Sequence, residues 1–320
     1  RYIGAIEGEA AMQAWQIDEF GPADSLMLRE VPDPAPGPGE VLVTVAAASV
    51  NPADAKLRAG RSPGADAIRF PLTLGRDFSG TVASLGEGVT DVAVGDAVFG
   101  VLDRGHEGAC AGKVALSAGL VARKPEALSH VEAAALALTG LTALVALEDV
   151  AQLARGQRIL IHGGAGGVGS FAVQYARHVG AEVFVTASAR NHDYLRDLGA
   201  DSVIDYTATS FEEVVADCDV VFDTIGGEVH RRSLKVLKPG SLLVHIAPGP
   251  ADMATPETIR IMRPHVGRDR AHLSRILDLV ASGAVRPPEI ATMAFADLPA
   301  AHERIETGHV RGKIVLSPVS

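Results

Sequence analysis

At 320 residues the chain is long enough for about two domains of ordinary size, and with 47% hydrophobic and 21% charged residues it can bury substantial cores. Its formal charge of −10 argues against a nucleic-acid or membrane-surface role. Two cysteines, Cys110 and Cys218, are too few for a disulfide framework or a multi-cysteine zinc site, and no apolar run approaches the roughly 20 residues that span a bilayer.

Residues 1–11 contain neither an apolar core nor a signal-like cleavage pattern, so they read as an extension ahead of a cytoplasmic protein. From Met12 to about residue 125, short strands and turns are expected rather than helices. Strands are predicted at Ala14–Ile17, Leu26–Val31, Glu40–Val45, Gly80–Leu85, Ala97–Val101 and Lys113–Ser117. The proline-rich piece Pro32–Gly39 cannot sit inside a sheet ladder. Many short strands with frequent turns predict a compact, partly closed β domain.

The character changes at Ser129, where Ser129-His130-Val131-Glu132 has the form of a capping box ahead of helical Ala133–Leu138 and Leu141–Leu147. Strand 158–162, helix 168–179, strand 182–187 and helix 192–198 then alternate, followed by strands at 202–204, 219–222 and 241–246. That alternation predicts an α/β, doubly wound parallel sheet. After a loop rich in Pro and Gly come helices at about 272–282 and 300–307. A last strand, Gly312–Leu316, needs a sheet to join, and the first domain is the candidate.

The most informative stretch is Arg158-Ile-Leu-Ile-His162 running into Gly163-Gly164-Ala165-Gly166-Gly167-Val168-Gly169 and then a helical pattern. Strand, glycine turn and helix start are the parts of a dinucleotide site. Glycines let the backbone approach a pyrophosphate without Cβ atoms in the way, and unpaired N–H groups at the helix start face its charge. No Lys-Ser/Thr closes the motif, which excludes the Walker-type phosphate loop. An NAD site normally carries Asp or Glu at the end of the second strand. Here that end reads Thr186-Ala187-Ser188-Ala189-Arg190, with no acid. Arg190 can pair with a 2′-phosphate and Ser188 can donate to it, so NADPH is the expected cofactor. The bland alternative for Arg190 is a solvated residue at a helix start.

Four signatures in order carry a resemblance: Val50-Asn51-Pro52-Ala53-Asp54-Ala55-Lys56, Gly75-Arg76-Asp77-Phe78-Ser79-Gly80, the glycine turn, and Phe222-Asp223-Thr224-Ile225-Gly226-Gly227. With the closing Arg311–Leu316, the chain resembles the zinc-free quinone oxidoreductases of the medium-chain dehydrogenase/reductase superfamily from Met12 onward. The resemblance implies a GroES-like catalytic domain made from 12–128 and 265–320, with a Rossmann NADP-binding domain inserted over 129–264. It also implies a homodimer joined through edge strands of the nucleotide domain. In zinc-dependent relatives a cysteine stands where Asn51 is, and Gly-His-Glu where Gly75-Arg76-Asp77 is, so no metal site is expected. A Gly105-His106-Glu107 string occurs about 30 residues too late and reads as a chance match.

By the same resemblance Tyr206 borders the adenosine ribose phosphate, with simple packing as its alternative, and Thr139 lies against the nicotinamide. Thr224, Ile225 and Gly226 follow one strand end and His245, Ile246 and Ala247 the next, where cofactor loops collect. Without zinc the suitable substrates are small molecules that delocalise an incoming hydride themselves, namely quinones and α,β-unsaturated carbonyls. The candidate catalytic residues are Asn51 as an amide donor, Lys56 as a cation near an enolate oxygen or the cofactor, and Asp54 as their orienting partner. Asn51 and Asp54 also suit a turn or helix cap, and Lys56 a solvated charge. Asp77 is expected to support the fold through Arg76 or a backbone donor. Two other readings stand beside the reductase: a non-catalytic NADPH-binding protein and a zinc alcohol dehydrogenase.

Overall fold

The computed structural model describes residues 11–103, 105–106 and 108–317. The proposed extension, apart from Ala11, and Glu107 of the Gly-His-Glu string lie outside the described residues. The first part of the chain runs β1 (Ala11–Ile17), β2 (Met27–Pro32), β3 (Glu40–Val50), α1 (Pro52–Arg58), β4 (Leu72–Thr73), β5 (Asp77–Leu85), β6 (Ala97–Val101), β7 (Lys113–Ser117) and β8 (Val121–Arg123). Its β-branched and small apolar residues bury β3 almost from end to end. β3 pairs antiparallel with β5 and β7 and continues to Val50, five residues beyond the expected end. Helix α1 differs from the expectation of strands and turns alone. At seven residues it is too short to show a helical period, and Pro52 at its first position suits a helix start.

The second part runs α2 (His130–Leu144), β9 (Arg158–His162), α3 (Gly167–Val179), β10 (Glu182–Ala187), α4 (His192–Asp197), β11 (Ser202–Asp205), β12 (Cys218–Asp223), α5 (Gly227–Ser233), β13 (Leu237–His245) and β14 (Arg260–Met262). The last segment supplies α6 (Arg270–Ala281), β15 (Ile290–Ala294), α7 (Leu298–Glu306) and β16 (Lys313–Ser317). Strands β11-β10-β9-β12-β13-β14 form one parallel sheet. Its order reverses between β9 and β12, which opens a crevice at the carboxyl ends of those two strands.

Helix α2 opens with the expected capping box, Glu132 N–H donating to Ser129 Oγ at 3.2 Å and Ser129 N–H to Glu132 Oε2 at 2.8 Å. The helix runs on through Gly140, as the expected continuation from Ala133–Leu138 into Leu141–Leu147 requires. A Cβ there would come within 2.6 Å of Ile276 on α6 and 3.1 Å of Phe171 on α3, so the glycine permits close helix crossings. Contrary to the expectation from the sequence, the helical run His130–Val150 has the length and apolarity to cross a membrane. However, 78% of the 18-residue apolar window within it is buried inside the protein, as befits a core helix. Strand β16 joins β3 antiparallel, so both chain ends share one sheet. Just before it, Gly312 N–H donates to Ala165 O at 2.8 Å, tying this sheet to the glycine turn.

Candidate active site

The cradle forms where β9 ends. His162 is buried, with Nδ1 3.0 Å from Thr186 Oγ1 and Nε2 3.0 Å from Ser233 Oγ. Burial pushes its pKa down to about 4, so the ring is neutral. Gly163 follows at φ +72°, a turn that a side chain would strain. Space is short around the neighbouring glycines. A Cβ on Gly164 would meet Val185 at 2.0 Å, and one on Gly169 would meet Gly163 O at 2.3 Å. Gly166 differs, since its Cβ would meet only Gly163 O at an ordinary 3.5 Å. Its backbone is extended and hands over to α3 at Gly167. Ala165 is buried and Val168 half-buried behind the turn. The start of α3 thus lies at the carboxyl end of β9, where the expected pyrophosphate site would fall.

Across the crevice Asp223 ends β12 fully buried. Its Oδ1 accepts from Ile225 N–H (2.8 Å) and Gly226 N–H (2.9 Å), and its Oδ2 lies 3.0 Å from His230 Nδ1. Thr224 Oγ1 donates to His162 O at 2.7 Å, fastening this loop to the strand beneath the glycine turn. Gly226 is buried at φ +80°, whereas Ile225 is exposed. At the end of β13, His245 is half-buried with Nδ1 2.9 Å from Ala247 O, and Ile246 N–H donates to Asp223 O at 3.0 Å. Burial lowers the His245 pKa. The roles of Asp223 and His230 were not foreseen, although Asp223 lies inside the quoted Phe222–Gly227 signature.

The remaining cofactor candidates are spread along the rim. Thr139 is buried with its hydroxyl committed to Ala135 O at 2.7 Å, and its methyl faces Gly167. Ser188 is half-buried and accepts from Asn191 Nδ2 at 3.2 Å. Arg190 is exposed, donating to His309 O at 3.0 Å, and Tyr206 is 53% exposed, well short of packed.

On the catalytic-domain side Asn51 sits at the start of α1, and a polar cluster closes around it. Its Nδ2 donates to Asp54 Oδ2 (3.0 Å) and Asp77 Oδ1 (2.6 Å), while Asn51 N–H donates to Asp54 Oδ2 at 2.9 Å. Lys313 Nζ donates to Asn51 Oδ1 at 2.6 Å and to Val50 O at 3.1 Å. Ser49 Oγ donates to Asp77 Oδ2 at 2.5 Å, and Arg76 Nε lies 3.2 Å from Asp54 Oδ1. Asn51, Asp54, Asp77, Ser49 and Lys313 are all buried. Burial raises the pKa of both aspartates and lowers that of Lys313, and the charges of opposite sign beside them work against each shift.

Two expectations change here. Arg76 faces Asp54, and Asp77 takes Ser49 and Asn51 instead, because neighbouring residues of an extended backbone point to opposite sides. The lysine that meets Asn51 is Lys313, from the other end of the chain, whereas Lys56 is exposed and joins none of these bonds. Nothing in the pattern of β16 marked Lys313 in advance, since residues 313–316 are buried on both faces of the strand.

Among the described residues no group of three His, Cys, Asp or Glu side chains is placed to hold a metal ion. The donor set around Asn51 does not fit zinc either, since its amide oxygen already accepts from an ammonium and a guanidinium stands beside Asp54. Cys110 is buried and its thiol is raised well above the usual range, so it stays protonated.

Residues 37–127 match the alcohol dehydrogenase GroES-like domain family, and residues 198–316 match the family described as zinc-binding dehydrogenase. The chain is 34% identical to a mitochondrial NAD(P)H oxidoreductase of Danio rerio (RTN4IP1), covering 96% of this chain and 91% of that protein. It is 33% identical to a chloroplastic NADPH-dependent alkenal/one oxidoreductase of Arabidopsis thaliana, covering 96% and 80%. Among solved structures, the quinone oxidoreductase of Coxiella burnetii superposes with a TM-score of 0.90 at 36% identity, over 96% of this chain and 99% of that one.

Proposed function

The chain belongs to the zinc-type alcohol dehydrogenase-like medium-chain dehydrogenase/reductase superfamily, among its quinone oxidoreductase-like members, and from that premise we propose that this nicotinamide-dependent oxidoreductase uses NADPH to reduce quinones or α,β-unsaturated carbonyls without a metal. The observation that carries the proposal is the Asn51 cluster. Beside the glycine turn, where an alcohol dehydrogenase needs a Lewis acid, this chain places an amide, two carboxylates, a guanidinium and an ammonium in mutual hydrogen bonds and ion pairs. The amide oxygen already accepts from the ammonium and a guanidinium stands beside Asp54, so the set does not suit zinc and a simple alcohol would lack the polarisation it requires. A quinone or enone needs less help, because its conjugated system takes up the charge of an added hydride.

The residues present fit a dinucleotide. Gly163 to Gly169 would hold the pyrophosphate, Thr224–Gly226 and His245–Ala247 would border the nicotinamide end, and Arg190 and Ser188 would meet a 2′-phosphate. When bound, NADPH supplies the hydride, and a proton from solvent completes the reduction. The chain's own tasks are orientation and the exclusion of water. Asp223 holds the 224–226 loop by two backbone N–H groups, and Asn51 is held by three partners at once.

The test mixes the protein with NADPH and a panel of quinones and enones and follows cofactor absorbance, with and without a metal chelator. Chelator-insensitive oxidation in at least one class is expected. Tight NADPH binding with no oxidation across the panel would leave a non-catalytic binding protein, and stoichiometric zinc by metal analysis would overturn the metal-free reading.

A further inference from the structure

We propose that Lys313 is a positioning residue of the reduction site, whose buried ammonium fixes the Asn51 carboxamide and whose stem sets the spacing between that carboxamide and the glycine turn. The inference rests on the reductase reading above. Lys313 is 4% exposed at the start of β16, and a lysine so placed is costly unless its N–H groups are met. Asn51 Oδ1 and Val50 O meet two of them, and Asp77 Oδ2 lies 3.9 Å away. The charges then balance in the interior: Asp54 and Asp77 against Arg76 and Lys313. Removing the ammonium would leave one carboxylate in excess and the Asn51 oxygen without its donor.

The stem matters separately. A Cβ on Gly167, the first residue of α3, would fall 2.7 Å from Lys313 Cδ and 2.9 Å from its Cγ. Thr139 Cγ2 closes the same spot at 2.7 Å. One residue earlier, Gly312 N–H is bonded to Ala165 O at 2.8 Å. The same side chain therefore touches the cofactor turn along its length and the Asn51 cluster at its tip. Asn51 has both amide hydrogens and its oxygen engaged, so its placement depends on all three partners together. An ion pair that served stability alone would change the unfolding midpoint and leave turnover as it was.

The experiment compares Lys313→Met, which keeps the stem, and Lys313→Gln, which keeps one donor for Asn51 Oδ1, with each change also made in Asn51→Ala. Turnover with the best quinone or enone, NADPH affinity by fluorescence titration and thermal unfolding are read together. In Lys313→Met, kcat should fall about tenfold or more while the NADPH Kd changes less than about threefold, and Lys313→Gln should recover part of the loss. In the Asn51→Ala background the same substitution should add less than about twofold, because its route through Asn51 is already gone. Fully multiplicative losses, a loss confined to NADPH affinity, or unchanged kcat with a lowered midpoint would each overturn the inference. Should Lys313→Met fail to fold, the Lys313→Gln pair carries the same comparison. Absence of turnover by the wild-type protein would instead bring down the reductase reading, and this inference with it.

Discussion

The cofactor cradle is built from backbone, whereas the Asn51 cluster beside it is built from charged side chains. In the cradle the polar atoms are N–H groups of a glycine turn and of the 224–226 loop, placed by conformation and by the absence of Cβ atoms. In the cluster the polar atoms belong to residues drawn from β3, α1, the start of β5 and the last strand. The first arrangement tolerates almost no added volume, and the second almost no loss of a partner. A backbone site also accepts any dinucleotide phosphate, so selectivity for cofactor and substrate has to come from side chains around it.

The sharpest way to break the contrast is to add one methyl at two glycines of the same turn. Gly169→Ala would put Cβ 2.3 Å from Gly163 O and 2.7 Å from Gly164 Cα, both backbone atoms that cannot swing aside. It should destabilise the fold by about 3 kcal/mol and abolish NADPH binding. Gly166→Ala meets only an ordinary 3.5 Å contact, so the fold should keep its stability. Its methyl instead intrudes where the pyrophosphate approaches, which should weaken NADPH and NADH alike by roughly 30-fold, about 2 kcal/mol. Denaturant unfolding and fluorescence titration measure both. Equal effects of the two substitutions on folding would deny that the turn is limited by backbone contact.

Acid should separate the two regions by sign. His162 beneath the cradle is held neutral by burial with its pKa down near 4, and His302, packed beside Arg58, is likewise pushed to about 4. A depressed folded pKa contributes stability that is present above the unfolded value of about 6.5 and is lost as pH falls through about 4. Asp54 and Asp77 are raised by burial, so their contribution runs the other way and fades as pH rises through the folded value. Against that opposing trend, His162 alone should remove on the order of 3 kcal/mol of unfolding free energy as pH falls from 7 toward 4. In His162→Gln that loss should disappear, leaving the parts due to His302, Asp54 and Asp77. A slope unchanged by the substitution would show that His162 is not neutral in the fold.

The same contrast explains what could be read before the fold was known. The cradle was legible because its parts are consecutive: an apolar strand, a glycine run and a helix start leave their marks within a dozen residues. The cluster was legible only in its local half. Asn51 and Asp54 are three residues apart and announce a helix cap, but Lys313 reaches Asn51 across 262 residues, and no periodicity reports such a contact. Lys56 drew attention by proximity in sequence, yet its position on α1 turns it to solvent. Asp223 stood inside a recognisable signature, but its work of accepting two N–H groups from its own loop follows from burial, which the string of residues does not state.

The smallest expected effect is the one that bears on cofactor choice. Arg190 follows β10 without a neighbouring carboxylate, which favours a 2′-phosphate, but its guanidinium is exposed and already donates to His309 O. An exposed charge pair is screened by solvent, and taking a phosphate requires Arg190 to share or release that carbonyl. Arg190→Ala should therefore weaken NADPH by only about fivefold, roughly 1 kcal/mol, and leave NADH nearly unchanged. The loss should shrink further as salt is added, unlike the loss in Gly166→Ala, which is steric. Binding titrations of both cofactors at low and high ionic strength make the comparison. If the two cofactors lose affinity equally, Arg190 serves the turn between β10 and α4, and any preference for NADPH must lie in another part of the rim.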